Sequence, residues 1–256
     1  MTLRLEAELK PTVYLDQLTA LGIEASANAL CHSAITLIKP VPANSLPEFG
    51  EGKVSIQDAG AQLAAGLLKL APDQLVLDAC AAPGGKSMHA LQLEPTIRLT
   101  ALDKQASRLK KLNNDLARCQ LKANVVCADA ADTADWWDGN LFDRILVDAP
   151  CSGTGIVSHH PDIKLLRRPK DAAQFAKQQI ELLRSLWTVL KPNGKLLYCT
   201  CSILPAENSQ VVSLFLEQQA DATLEALELP TAIDTSNGYQ LLPNKGKNGG
   251  FFFARL

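Results

Sequence analysis

The sequence predicts an α/β fold: a doubly wound, Rossmann-like sheet, mostly parallel, preceded by a small α+β appendage. Three observations carry that prediction. From Leu75 onward, short apolar runs alternate with segments of helix length, and near-continuous apolar strands mark a parallel sheet covered on both faces. A loop containing Gly84 and Gly85 follows the first run, and acids close several later ones, as in sheets that bind ligands beyond their carboxyl edge. Residues 1–52 lack this alternation.

In chain order, the appendage (1–52) holds a helix from Pro11 to Leu21, a short strand from Ala34 to Ile38 and a stretch broken by Pro40, Pro42 and Pro47. The main unit (53–256) opens with Ile56, Ala59, Leu63, Leu67 and Leu70 spaced three or four apart, which predicts a helix over 55–70 with one buried face. Strands are expected at Leu75 to Ala79, Arg98 to Leu102, Asn124 to Cys127, Arg144 to Val147 and Lys195 to Cys199. A helix from Gln174 to Leu190 should stop at Lys191-Pro192-Asn193-Gly194. The run from Phe251 to Ala254 follows a loop with Gly246, Gly249 and Gly250 and is expected to return antiparallel.

Composition narrows the function classes. With 47% hydrophobic and 20% charged residues, 15 Gly and 14 Pro, disordered, collagen-like and coiled-coil readings are excluded. No apolar run reaches the roughly 18 residues of a membrane helix, and Met1 to Glu6 lacks a signal-peptide stretch. Seven cysteines without C-x-x-C pairs argue against a disulfide framework or zinc ribbon, so a reducing, cytoplasmic setting is expected. The net charge of −2, from 25 basic and 27 acidic residues, offers no global case for nucleic acid, so any such case must be local.

The first binding-edge loop reads Asp78-Ala79-Cys80-Ala81-Ala82-Pro83-Gly84-Gly85-Lys86-Ser87. Paired glycines let a ligand approach the backbone, and the helix N-terminus behind them favours a carboxylate or phosphate. A P-loop would place its first glycine where Cys80 stands, which weakens that reading. Asp103 ends the second strand, placed to accept hydrogen bonds from a ribose. Asp129 follows the third strand and Asp148 ends the fourth. One such acid alone is more often a turn former, but three in succession after a glycine loop point to a nucleoside-bearing cofactor.

The loops Asp148-Ala149-Pro150-Cys151-Ser152 and Thr200-Cys201-Ser202 bring two cysteines to the same edge. Cys31, Cys119 and Cys127 are read as small buried hydrophobes. Cys199 and Cys201 share a side of the strand, and Cys201, nearer the mouth, is the expected reactive thiol. Such a thiol needs a cationic neighbour to ionise. Lys86 is a candidate, and pairing with Asp148 alone is the structural alternative. Lys104, Arg108, Lys111, Arg118 and Lys122 fit one helix face, ordinarily a solvated one. Positive charge also gathers from His159 to Lys170 beside the Cys151 loop, where phosphate contacts by Lys164, Arg167 and Arg168 are expected. The adjacent His159 and His160 make a poor zinc pattern, so no metal is expected.

Taken together, Asp78 to Ser87, the Asp148 to Ser152 loop, Thr200-Cys201-Ser202, Pro205-Ala206-Glu207-Asn208, His160-Pro161-Asp162 and Gly250-Phe251-Phe252 resemble the RNA cytosine-C5 methyltransferases, in particular those acting on small-subunit ribosomal RNA. The resemblance implies S-adenosyl-L-methionine as cofactor, held by Cys80, Ala81, Ala82, Pro83, Gly84, Gly85 and Lys86. It assigns Asp103 to the ribose, Asp129 to the adenine end and Asp148 to the target base. It implies that Cys201 is the nucleophile adding to carbon 6 of a cytosine, and that Cys151 assists release of the methylated RNA. The partner is RNA, with no membrane and no metal, and a monomer is expected. Members of this type carry a helical RNA-binding domain ahead of the catalytic part, so this chain is expected to be the catalytic part without it. The same chemistry on transfer RNA, or a non-catalytic RNA-binding assembly factor, are the alternatives.

Overall fold

The computed structural model describes residues 1–256. Its first sheet is antiparallel, built from β1 (Thr2–Leu5), β2 (Ala25–Ala27), β3 (Ala34–Leu37) and β4 (Val54–Ile56) in the order β2-β3-β1-β4, with α1 (Pro11–Ala20) between β1 and β2. Pro11 starts α1 because a first-turn N–H has no helical partner to lose. Tyr14 and Leu18 of α1 bury against Leu3, Leu5, Ile35, Leu37 and Val54. Strand alternation turns Arg4 to the opposite face, toward the main unit.

The second sheet has eight strands in the order β10-β11-β12-β9-β8-β5-β6-β7. Its parallel half is β5 (Leu75–Asp78), β6 (Arg98–Asp103), β7 (Asn124–Cys127), β8 (Phe142–Asp148) and β9 (Leu190–Thr200). The antiparallel half is β10 (Ile233–Asp234), β11 (Tyr239–Leu241) and β12 (Phe251–Arg255); β12 returns antiparallel as expected, and its partner is β9.

Helices α2 (Ala59–Leu67), α3 (Gly85–Leu93) and α4 (Ala106–Arg118) cover one face, and α6 (Pro169–Trp187) and α7 (Ser209–Gln218) the other; the short α5 (Ile163–Leu166) precedes α6. Successive strand residues feed opposite layers. Val76, Leu146 and Phe251 pack with Leu68, Leu91 and Leu112, while Leu77, Ile145 and Phe252 pack with Leu183 and Phe215. Burial on both faces is why these strands read as unbroken apolar runs.

Three expectations are corrected. The helix predicted over 55–70 starts only at Ala59, where Asp58 caps it by accepting from the Gly60 N–H; Ile56 belongs to β4. The helix predicted to run to Leu190 ends at Trp187. Leu190 pairs Phe142 while Lys195 pairs Arg144, so residues 191–194 bulge out of β9 rather than ending a helix. The basic residues around α4 do not form one solvated face. Arg118 turns into the seam between the sheets, donating to the carbonyls of Phe49 and Val54 and lying 4.2 Å from the Phe49 ring centre.

Candidate active site

Parallel pairing aligns the carboxyl ends of the central strands: Asp103 lies opposite Cys127, and Asp148 opposite Cys199. The loop from Cys80 to Gly84 leaves this edge and enters α3. Gly84 adopts φ +109°, and a Cβ there would stand 3.0 Å from the Leu112 side chain, so the turn requires glycine. Asp103 is buried and braces the loop from beside it. Its carboxylate accepts from the N–H of Ala82 (3.2 Å) and of Gln105 (2.9 Å), with the Arg108 guanidinium 3.4 Å away. Asp129 sits further along the edge, accepting from the Ala131 N–H at 3.1 Å and pairing loosely with Lys104 at 3.3 Å. Burial pushes the Cys80 thiol up, keeping it neutral.

Lys86 and Asp148 form an ion pair at 2.6 Å, and the ammonium lies 5.5 Å from the Phe251 ring centre. Burial opposes the lysine's charge, but the Asp148 carboxylate outweighs it and holds the ammonium above its ordinary value. The pairing of Lys86 with Asp148 offered by the sequence is thus present. Beneath the pair, Asp78 is buried; its Oδ2 accepts from Ser87 Oγ at 2.6 Å, while Oδ1 has no partner. Burial raises this acid to about 7.

The two loop cysteines face each other, Sγ to Sγ 3.4 Å, as free thiols. They are polarised oppositely. Cys201 lies below the ordinary thiol range through its hydrogen-bonding contact with Cys151, in which either thiol can be the donor; Lys86 also lowers it, against burial and Asp148. Cys151 is pushed up by Cys201 and by burial. Cys199 is fully buried with its Sγ 3.6 Å from Asp148 Oδ1, and burial and that carboxylate push it up. Of the three, Cys201 is the thiol disposed to ionise.

A buried polar network joins the two cysteine loops. Glu207 accepts from the Ser152 N–H (2.6 Å) and Ser202 Oγ (2.9 Å), and the Tyr198 hydroxyl donates to its carbonyl (2.6 Å). Asn208 accepts from Thr200 Oγ1 and donates to the Ser202 carbonyl and Gln240. Gly155 threads between: its N–H donates to the Cys201 carbonyl (2.9 Å) and its carbonyl accepts from the Gly250 N–H (2.8 Å). Sequence reasoning gave no role to Glu207, Gln240 or Gly155. A proline-bounded acid after the T-C-S loop was the available signal for Glu207; nothing local marks Gln240.

Of the three basic residues expected at phosphates, Arg167 is engaged within the fold. Its Nε donates to the Ser152 carbonyl at 2.6 Å and its guanidinium lies 5.2 Å from the Phe175 ring centre. Lys164 and Arg168 are exposed. No group of three or more His, Cys, Asp or Glu side chains is arranged to hold a metal ion, and no helix is long and apolar enough to cross a membrane.

Residues 65–256 match the family model described as 16S rRNA methyltransferase RsmB/F. Ribosomal RNA small subunit methyltransferase B of Shewanella oneidensis is 49% identical over 243 residues, covering 95% of this chain and 56% of the relative. Its counterpart in Pseudomonas syringae pv. tomato is 47% identical over 249 residues with the same coverages. The chain thus spans little more than half the length of these relatives. Among solved structures, a methyltransferase homologue from Pyrococcus horikoshii superposes with a TM-score of 0.84 at 27% identity, covering 99% of this chain and 85% of that one. NSun6 from the same organism, solved with SFG, shares the fold at TM-score 0.85 and 19% identity, covering 99% and 89%.

Proposed function

The chain belongs to the 16S rRNA methyltransferase RsmB/F family, and from that premise we propose that it transfers a methyl group from S-adenosylmethionine to carbon 5 of a cytosine in small-subunit ribosomal RNA, through a covalent adduct of Cys201 at carbon 6. The observation that carries this reading is the pair of free thiols 3.4 Å apart at the edge that also holds the Lys86–Asp148 ion pair.

The loop fits such a cofactor. Gly84 keeps the backbone open, the α3 N-terminus favours a carboxylate, and the unpartnered Asp78 Oδ1 leaves an acceptor beneath. Residues Cys80 to Lys86, with Asp103 and Asp129, would hold it; a carboxylate offers about four acceptor sites, so Asp103 retains capacity for ribose hydroxyls beyond its present donors. When bound, the cofactor supplies an electrophilic sulfonium methyl group.

The chain's own residues do the rest. Carbon 5 of cytosine is a weak nucleophile; addition of the Cys201 thiolate at carbon 6 makes the ring an enamine that is nucleophilic at carbon 5. Asp148 would accept from the cytosine amino group and, when it carries a proton, donate that proton to N3 as the thiolate adds, which favours addition. After methylation a base removes the carbon-5 proton and the Cys201–carbon 6 bond breaks. The electrons of that C–H bond re-form the carbon 5–carbon 6 double bond and expel the Cys201 thiolate, and Cys151 assists by donating its S–H to the departing sulfur. A stacked base hides carbon 6, so the cytosine must be unpaired or flipped.

Labelled S-adenosylmethionine, offered with unmodified small-subunit ribosomal RNA and a transfer RNA panel, tests the assignment. Label mapped to 5-methylcytosine in the ribosomal RNA supports it, label confined to transfer RNA moves the substrate, and no transfer to any RNA overturns it.

A further inference from the structure

Arg4 is the least expected buried charge in the molecule. It sits on β1, is 1% exposed, and has no carboxylate salt-bridge partner. Its guanidinium instead spans three neutral acceptors: Nη1 donates to Gln57 Oε1 and to the Gly85 carbonyl, both at 2.7 Å, and Nη2 donates to Gln92 Oε1 at 2.6 Å. Burial lowers it to about 10, still charged at neutral pH. A buried, unpaired guanidinium is costly unless its donors are satisfied.

The placement of those acceptors is informative. Gly85 opens α3 at the glycine turn, Gln92 lies near the other end of the same helix, and Gln57 immediately follows β4 and lines the space beside Gly85. One planar fork therefore ties the small sheet to both ends of the helix that carries the loop. It also adds a full positive charge behind the α3 N-terminus, whose own dipole is equivalent to about half a charge. A hydrophobic residue at position 4 would serve packing between the layers; it would neither bind the Gly85 carbonyl nor supply charge.

We infer that Arg4 is a positioning residue for the cofactor loop, through which the small N-terminal sheet sets the Gly84–Gly85 turn and the affinity for the anionic end of S-adenosylmethionine. This rests on the cofactor reading above. Arg4 does not touch the cofactor; it acts through Gly85.

The test is calorimetric titration of S-adenosylhomocysteine into the full chain at a temperature where each protein is folded, with melting temperatures in parallel. Arg4→Met should weaken binding at least tenfold, and Arg4→Lys, which keeps the charge but not the fork, should fall between. Tyr14→Phe, on α1 packed against the same small sheet, removes the hydroxyl's 3.1 Å bond to the Pro47 carbonyl, and should change the melting temperature without changing affinity. An Arg4→Met protein that melts lower yet binds as the parent does would show a purely structural role and overturn the inference. If Arg4→Met does not fold, parental affinity in Arg4→Lys overturns it equally. A parent protein that binds no S-adenosylhomocysteine would overturn the cofactor reading itself, and this inference with it.

Discussion

Substituting Gly155 by alanine tests whether the close approach of three chain segments sets the geometry of the two thiols. A Cβ at this position would lie 2.2 Å from the Gly250 carbonyl oxygen, 2.7 Å from its carbon and 2.9 Å from the Cys201 carbonyl oxygen. All three neighbours are backbone, so no rotamer change relieves the clash. Ordinary contact begins at about 3.5 Å, so the segments must part by about 1 Å, stretching the Gly155–Cys201 and Gly250–Gly155 hydrogen bonds. Overpacking of this kind costs about 1–3 kcal/mol, and at about 2–4 °C per kcal/mol for a chain of this size the melting temperature should fall by about 2–12 °C. The larger effect should be on turnover, because misplacing a reacting group by about 1 Å costs on the order of 100-fold. Gly66→Ala is the control, since nothing lies within 4 Å of its Cβ position on α2; it should be neutral or gain about 0.5–1 kcal/mol. The assay pairs thermal melting with single-turnover methyl transfer. A Gly155→Ala protein that melts and turns over like the parent would refute the reasoning.

Lys86→Met removes a cation that lowers Cys201 and leaves Asp148, which raises it, without a partner; iodoacetamide labelling of Cys201, read by peptide mass spectrometry, should shift to higher pH, and an unmoved profile would exclude Lys86 as the activating charge. Burial raises Asp78 to about 7, so folding takes up a proton between the ordinary carboxylate range and that value; stability should fall with rising pH across this window and level off above it, with a slope of up to about 1.4 kcal/mol per pH unit. Asp78→Asn should remove that component in urea titrations at pH 5 and pH 8, and identical pH dependence in both proteins would contradict the burial argument. Neutralising Lys164 and Arg168 together should weaken RNA binding and flatten its log–log salt dependence by up to about 1.5–2 units while leaving cofactor affinity unchanged; an unaltered slope would return both residues to a solvated surface.

The parallel half of the main sheet was legible because strands buried on both faces leave unbroken apolar runs, and the acids at their ends mark the binding edge. Cys201 stood out by position: strand alternation puts it on the same side as Cys199, and it lies nearer the mouth. The small sheet was largely missed. Its strands are three or four residues long, too short for a period to register, and β1 places a charged residue, Arg4, in a fully buried position that a polarity pattern reads as exposed. Leu190 looked helical because the residues after it resemble a stop, whereas a bulge absorbs them into β9. Arg118 looked like surface charge because one of its acceptors, the Phe49 carbonyl, lies 69 residues away in the chain. The network joining the cysteine loops is also long in range: Ser152 meets Glu207 across 55 residues and Asn208 meets Gln240 across 32, and only the folded sheet brings them together.

The central claim is that Cys201 attacks and Cys151 releases, and trapping of the protein–RNA adduct tests it most directly. Each variant is incubated with substrate RNA and S-adenosylmethionine and resolved on a denaturing gel. Cys151→Ser should accumulate a complex that survives denaturation, Cys201→Ser should form none and lose turnover by orders of magnitude, the double variant should form none, and Cys199→Ser should behave as the parent. A stable complex in Cys201→Ser, with none in Cys151→Ser, would contradict the account and exchange the roles of the two thiols.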